Sequence, residues 1–159
     1  MSTRRQQMGS PELRITPFSP EYQDEARTII LEGLGEHWGW IDEEINDDLR
    51  DIAHFYAGGH FVLGWLDSIL VATGALIRED TETMRIVRMS VRKPYRRKGI
   101  GSLVLDHLVQ IARRSGARRV VLETTATWDG AIAFYKSYGF TEEGYRNGDI
   151  YLALDLATL

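Results

Sequence analysis

The chain has 159 residues, of which 43% are hydrophobic and 26% are charged, and its formal net charge is −4 at pH 7. These values predict one globular domain with a substantial core, and the lack of cysteine excludes disulfide scaffolds, thiol nucleophiles and cysteine-ligated zinc sites. Because the chain is acidic and its longest apolar runs are too short to cross a bilayer, we expect neither nucleic acid nor a membrane as a partner. The lack of cysteine is consistent with the cytoplasmic location that we expect.

The first third of the chain is predicted to contain one strand and two helices. Residues 1–12 are polar and are expected to form a disordered tail, which leaves a single domain over 13–159. The strand and the two helices are predicted over Leu13–Thr16, Glu21–Leu34 and Glu43–Tyr56. Ser19 is the expected N-cap of the first helix, and Gly33, Gly35 and Gly39 are expected to break it.

The rest of the chain alternates between strand and helix patterns. The predicted strands are His60–Leu66, Ile69–Arg78, Thr83–Val91, Arg119–Thr124, Phe140–Arg146 and Ile150–Leu156. The predicted helices are Gly99–Ser115 and Gly130–Tyr138. The dipeptide Asn147-Gly148 predicts a tight hairpin between the last two strands. The element order is therefore β-α-α-β-β-β-α-β-α-β-β, which is an α/β fold with a sheet of mixed direction.

A glycine-rich basic turn lies between the third strand of this series and the long helix. Its sequence is Arg96-Arg97-Lys98-Gly99-Ile100-Gly101. Glycine lets the backbone approach a ligand closely, and the first amides of a helix point outward at the positive end of the helix dipole. The turn therefore predicts a pyrophosphate site. The alternative is a tight β–α turn in which the glycines only permit packing.

Two motifs make the interpretation more specific. The pattern Arg96-x-x-Gly99-x-Gly101 matches the Gln/Arg-x-x-Gly-x-Gly/Ala signature of GNAT acetyltransferases, and the segment Ala131–Phe140 resembles a second motif of that family. The element order also agrees from Leu13 to Leu156. The resemblance implies a GNAT-like acyl-CoA N-acyltransferase fold, with a mixed, mostly antiparallel central sheet flanked by helices. It also implies transfer of the acetyl group of acetyl-CoA to a primary amine by direct attack in a ternary complex, and it suggests a homodimer.

The resemblance assigns the cosubstrate acetyl-CoA to the turn and to the strand before it. The pyrophosphate is expected on the turn, and the pantetheine arm along the strand, where a main-chain amide faces the acetyl carbonyl. The residues assigned to this cofactor site are Met89, Val91, Arg96, Arg97, Lys98, Gly99, Ile100, Gly101 and Ser102. The chain departs from the family at Trp128, where an asparagine is common, so the contacts credited to that asparagine are in doubt.

The catalytic groups implied by the resemblance are an acid and a base. Tyr135 occupies the position at which the family often places the acid that protonates the leaving thiolate, and a phenol is protonated at neutral pH. The alternative is that Tyr135 is a core aromatic. Glu36 and Glu123 are the candidate bases. The histidines are scattered along the chain, so we expect no metal site.

The acceptor loop is expected to contain His37, Trp38 and Trp40, followed by an acidic segment. Aromatic rings and carboxylates together favour a small cationic amine, such as a polyamine or amino sugar. An exposed lysine or a protein N-terminus is the other acceptor class, and packing of both tryptophans against the sheet is the structural alternative. A non-catalytic acyl-CoA-binding sensor or regulatory module is the alternative function.

Overall fold

A computed structural model describes residues 12–38 and 46–156, which form seven strands and four α-helices. The strands are β1 Leu13–Pro17, β2 His60–Leu66, β3 Ile69–Arg78, β4 Thr83–Val91, β5 Arg119–Thr125, β6 Thr141–Arg146 and β7 Asp149–Asp155. The helices are α1 Gln23–Trp38, α2 Ile52–Phe55, α3 Ile100–Arg114 and α4 Asp129–Tyr138. Short 3₁₀ turns are found at Pro20–Tyr22, Asp47–Arg50 and Lys93–Tyr95.

The strands form one sheet in the order β1-β2-β3-β4-β5-β7-β6. Every neighbouring pair is antiparallel except β4 and β5, which run parallel. The prediction of a mixed, mostly antiparallel sheet flanked by helices is therefore confirmed.

The parallel pair is short, and this positions the site. β4 and β5 pair only from Thr83 opposite Arg119 to Arg85 opposite Val121. Beyond this point the two strands, both described over their full length, form no further pairs with each other, while β5 continues to pair with β7. A gap therefore opens in the middle of the sheet, between the C-terminal halves of β4 and β5.

Helices cover both faces of the sheet. The apolar stripe of α3, which includes Val104, Leu105 and Leu108, is buried against one face together with side chains of α4. The other face packs against α1 through residues such as Ala26 and Ile30. No helix within the described residues is long and apolar enough to span a membrane.

The first helix differs from its prediction at both ends. It continues through two glycines to Trp38 instead of ending at Leu34, and Ser19 does not cap it, since the Ser19 hydroxyl instead donates to Glu21 Oε1 at 3.3 Å. An added Cβ at Gly33 would make only an ordinary contact of 3.4 Å with Ser90 Oγ. The helix penalty of glycine is modest, and packing of the helix through residues such as Ala26 and Ile30 outweighs it.

The predicted helix Glu43–Tyr56 is wrong over its described part, which is split into the 3₁₀ turn and the short α2; residues 43–45 lie outside the described residues. The break is caused by Gln23 of α1. Its Nε2 donates to Leu49 O at 2.6 Å, and its Oε1 accepts from Ile52 N at 2.9 Å. These bonds satisfy backbone groups that a continuous helix would pair internally.

The predictions for the remaining elements are confirmed to within two residues at each boundary. Asn147 and Gly148 have φ of 53° and 85°, as a primed hairpin turn requires. Of the predicted tail, residues 1–11 lie outside the described part of the chain, so the tail stays a prediction.

Candidate active site

A cavity of about 510 Å³ occupies the gap between β4 and β5. Its walls come from α1, from the C-terminal halves of β4 and β5, and from the first turns of α4. Met89, Val91, Arg96, Glu123 and Tyr135, all singled out from the sequence, line it. The fold therefore brings the predicted cofactor strand, the proposed acid and one candidate base to one cavity.

The β4 wall of the cavity contains a β-bulge. Thr73 of β3 pairs with Ser90 and Ala75 pairs with Val87, so that Gly74 alone lies opposite both Arg88 and Met89. Arg88 has a left-handed φ of 56°. A bulge locally disrupts the ladder and re-aims the strand. Main-chain groups at this point of the cavity wall are thereby turned away from regular pairing with β3.

The glycine-rich turn joins this wall to the N-terminus of α3. Gly99 is the N-cap residue, with φ of 82°, and Arg97 also has a positive φ of 64°. An added Cβ at Gly101 would lie 3.4 Å from Phe134 and 3.7 Å from Val91. The N-terminus of α3 therefore lies against α4 and the end of β4, at ordinary van der Waals distance. Ile100 is 5% exposed, so its side chain belongs to the core.

Arg96 is bonded to the protein on both sides of its guanidinium group. Its Nε donates to Val91 O at 2.8 Å, and its two terminal nitrogens bond to the Glu36 carboxylate at 3.1 and 2.7 Å. These bonds tie the end of α1 to the turn. Glu36 lines a neighbouring cavity of about 580 Å³, together with Arg92 and Lys93, and does not line the cavity that contains Tyr135.

Tyr135 lies on α4 with its ring in edge contact with Phe134 and Phe140. It is 9% exposed, and it lines the cavity. Burial raises the pKa of its phenol above the ordinary value of 10.0. The phenol is therefore protonated at neutral pH.

Glu123 lies on the β5 wall of the same cavity. Its Oε1 is 3.3 Å from Nη1 of Arg85, which also pairs with Glu79. Its carboxylate lies opposite Tyr151 of β7 and raises the pKa of that phenol. Glu123 is thus paired with Arg85 of β4 and lies beside Tyr151 of β7.

A buried ionic network that the sequence did not indicate lies behind the bulge. Arg88 donates from Nε to Asp48 Oδ2 at 2.9 Å and from Nη2 to Asp48 Oδ1 at 2.6 Å, while the Tyr56 hydroxyl donates to Asp48 Oδ2 at 2.5 Å. Burial opposes the charge of Asp48, but the bonds from Arg88 and Tyr56 outweigh it, and the pKa of the carboxyl is lowered. Asp48 and Arg88 are 40 residues apart, so no local pattern could have linked them.

The predicted acceptor residues lie outside what the structure describes: Trp40 is outside the described residues, and so are the side chains of His37 and Trp38. Trp128, which occupies the family's asparagine position, lines the cavity. Among the described residues no group of three or more potential metal ligands is found.

The model of the acetyltransferase (GNAT) family matches residues 18–140. Similar curated proteins include "Probable N-acetyltransferase 14" of Xenopus tropicalis, 30% identical over 63% of this chain and 50% of that protein. The "N-acetylaspartate synthetase" of Danio rerio is 32% identical over 75% of this chain and 41% of that protein. The chain thus spans about half the length, or less, of these relatives.

Solved structures share the fold. A GNAT-family acetyltransferase from Staphylococcus aureus Mu50 superposes with a TM-score of 0.83 and 25% identity, over 91% of this chain and 99% of that one. The PaiA N-acetyltransferase of Thermoplasma acidophilum, solved in complex with coenzyme A, superposes with a TM-score of 0.79 and 17% identity over the same shares of the two chains.

Proposed function

Because the chain belongs to the acetyltransferase (GNAT) family, we propose that it transfers the acetyl group of acetyl-CoA to a primary amine, by direct attack in a ternary complex. The observation that carries this proposal is the gap between β4 and β5, since one cavity there adjoins both the glycine-rich turn and the buried Tyr135.

The cosubstrate site is assigned to the turn and to the β4 wall. The main-chain amides at the start of α3 and the charges of Arg97 and Lys98 suit a pyrophosphate, because both favour anions. The backbone of Met89 and Val91 is assigned to the pantetheine arm. Arg96 is already bonded to Glu36 and Val91, so we assign it to ordering the turn. That a protein of the same fold holds coenzyme A supports this assignment.

The chemistry then needs two proton transfers. The neutral amine nitrogen attacks the thioester carbonyl carbon, a C–N bond forms, and the C–S bond breaks. We assign Tyr135 to protonate the leaving thiolate, since its phenol is buried, protonated and in the cavity. We assign Glu123, on the opposite wall, to accept the amine proton directly or through water.

Glu36 is the alternative base. It lines the neighbouring cavity and is paired with Arg96. Separate Glu123→Gln and Glu36→Gln variants discriminate between the two. In the variant that lacks the true base, kcat falls, and the fall of kcat towards low pH seen in the wild type is lost. If kcat of both variants still falls towards low pH as in the wild type, neither carboxylate is the base.

Two classes of amine are proposed as the acceptor. The first is a small cationic amine, which His37, Trp38 and Trp40 would help to bind. The second is a lysine side chain or the N-terminus of another protein. Replacing Trp38 and Trp40 with leucine should raise KM for a cationic amine and leave KM for acetyl-CoA unchanged. An unchanged amine KM in an active enzyme excludes the aromatic site.

The proposal also covers the domain limits and the oligomeric state. We propose one domain over residues 13–159 and a homodimer. Light scattering of the purified protein measures its molar mass and so tests the homodimer. Limited proteolysis followed by mass spectrometry identifies the protected fragment and so tests the domain boundary.

Calorimetric titration tests the cosubstrate site. Acetyl-CoA is titrated into the wild-type protein and into Gly99→Glu, which adds a negative charge at the N-terminus of α3. The matched control is Gly116→Glu. Gly116 lies just beyond the other end of α3, has φ of 85°, and offers the same open space to a side chain as Gly99, whose φ is 82°. Backbone strain and charge change are thus the same in both variants.

We expect saturable one-site binding that Gly99→Glu weakens by at least about tenfold and that Gly116→Glu leaves unchanged. If 3′-dephospho-CoA binds more weakly than CoA, the protein also contacts the 3′-phosphate. If the folded wild-type protein binds no acetyl-CoA at millimolar concentration, the proposed function is wrong. Binding without turnover of any amine in a broad screen favours the non-catalytic acyl-CoA sensor.

A further inference from the structure

The bulge in β4 has a backbone conformation that its own sequence disfavours. Arg88 has φ of 56°, a left-handed value in the middle of a strand, at a residue that is not glycine. Such a conformation persists only when the surrounding structure holds it, and it is concentrated at functional sites. Arg88 and Met89 line the cavity, so the strained residue lies in its wall.

Arg88 is held at both its main chain and its side chain. Its carbonyl accepts a hydrogen bond of 2.8 Å from the hydroxyl of Thr73, which is fully buried. Its guanidinium group forms the two-point bond with Asp48, which is 9% exposed. A bidentate pair fixes the plane of the guanidinium as well as its distance from the carboxylate.

Asp48 is itself fixed from the segment between α1 and β2. The Tyr56 hydroxyl donates to its Oδ2, and Gln23 of α1 bonds to Leu49 O and Ile52 N on either side of Asp51. The chain of contacts therefore runs from α1 through Asp48 to the bulge.

We propose that Asp48 and Tyr56 are positioning residues, which hold the Arg88–Met89 bulge so that its main chain faces the acetyl thioester. This inference rests on the proposed function. Stability alone does not explain the network, because a buried ion pair is often no more stabilising than well-packed apolar side chains of similar volume. What the network supplies is one backbone conformation at the point where an amide is needed to stabilise the oxyanion.

Infrared spectroscopy provides a test that needs no acceptor. Acetyl-CoA labelled with ¹³C at its carbonyl is bound to the wild-type protein, and the isotope-edited spectrum reports the C=O stretch. A hydrogen bond to this oxygen lowers the stretching frequency. We expect a lowered frequency in the wild type, a return towards the solution value in Asp48→Asn, and an intermediate value in Tyr56→Phe. Each variant is saturated with acetyl-CoA before its spectrum is recorded, because a change at Met89 also alters the main-chain contacts assigned to the pantetheine arm.

The matched control is Asp47→Asn. It makes the same change of charge one residue earlier, at an exposed carboxylate that pairs with exposed Arg50. It should give the wild-type frequency. Circular dichroism establishes that each variant is folded, and if Asp48→Asn does not fold, Tyr56→Phe gives the result, because it removes only a hydroxyl.

A double variant separates the role of the conformation from that of the arginine side chain. Glycine adopts left-handed φ without a penalty, and Asp48→Asn combined with Arg88→Gly leaves no buried unpaired charge. We expect this double variant to recover most of the lowered frequency that Asp48→Asn alone loses. Failure to recover it, or a wild-type frequency in folded Asp48→Asn and Tyr56→Phe, overturns the inference. Absence of acetyl-CoA binding to the wild type, measured by calorimetry, is instead a failure of the proposed function.

Discussion

Replacing each of the two glycines of the turn with alanine should have opposite effects on stability. At Gly99 an added Cβ has no neighbour within 4 Å, so Gly99→Ala has no steric effect, and the change acts only through the φ of 82°. Holding an L-residue in this left-handed region costs about 1–2 kcal/mol. At Gly101, which lies within α3, the added Cβ meets Phe134 at 3.4 Å, an ordinary contact, and φ is not positive. Alanine is favoured over glycine in a helix by up to about 1 kcal/mol.

The two alanine variants should therefore differ by about 2 kcal/mol in their free energy of unfolding. For a domain of this size, that corresponds to a difference in Tm of about 4–8 °C, with Gly99→Ala the lower. Thermal melts followed by circular dichroism measure Tm, and urea titrations measure the free energy of unfolding directly. Equal stabilities, or a less stable Gly101→Ala, would refute the assignment of backbone strain to Gly99.

Three further predictions follow from buried groups. Tyr135→Phe should lower kcat by about 10²-fold, as expected when a general acid is lost, with little change in KM. An assay of thiol release measures both constants, and an unchanged kcat would show that Tyr135 is only a core aromatic residue. The lowered pKa of Asp48 stabilises the fold above pH 3.8, and this contribution is lost as the pH falls towards the lower folded-state pKa. In urea titrations over this pH range, the free energy of unfolding of the wild type should therefore fall more steeply than that of Asp48→Asn. If the two free energies fall in parallel with pH, the lowered pKa of Asp48 is contradicted. Gly74→Ala should cost about 1–3 kcal/mol, because its Cβ would lie 2.9 Å from Val104 and Leu108; an unchanged Tm would show that α3 can shift.

Features that depend on neighbours in the sequence were predicted correctly. The helix α3 follows from apolar residues at helical spacing, and the hairpin at Asn147-Gly148 follows from two residues that tolerate positive φ. The turn around Gly99 belongs to the same group. Its glycines, its basic residues and the helix that follows are contiguous, so the N-terminus of α3 could be inferred from the sequence, while the pyrophosphate site there stays a prediction.

The tertiary structure alone decided features that depend on distant partners. The break at Asp51 requires the side chain of Gln23, 29 residues from Ile52, and the bulge is held by a pair 40 residues apart. Likewise, Glu36 and Glu123 were equal candidates in the sequence, but only Glu123 lines the cavity of Tyr135. Periodicity and motifs report the preferences of adjacent residues. Which buried donor meets which acceptor depends on how helices and strands pack, and that is decided only when the whole chain is folded.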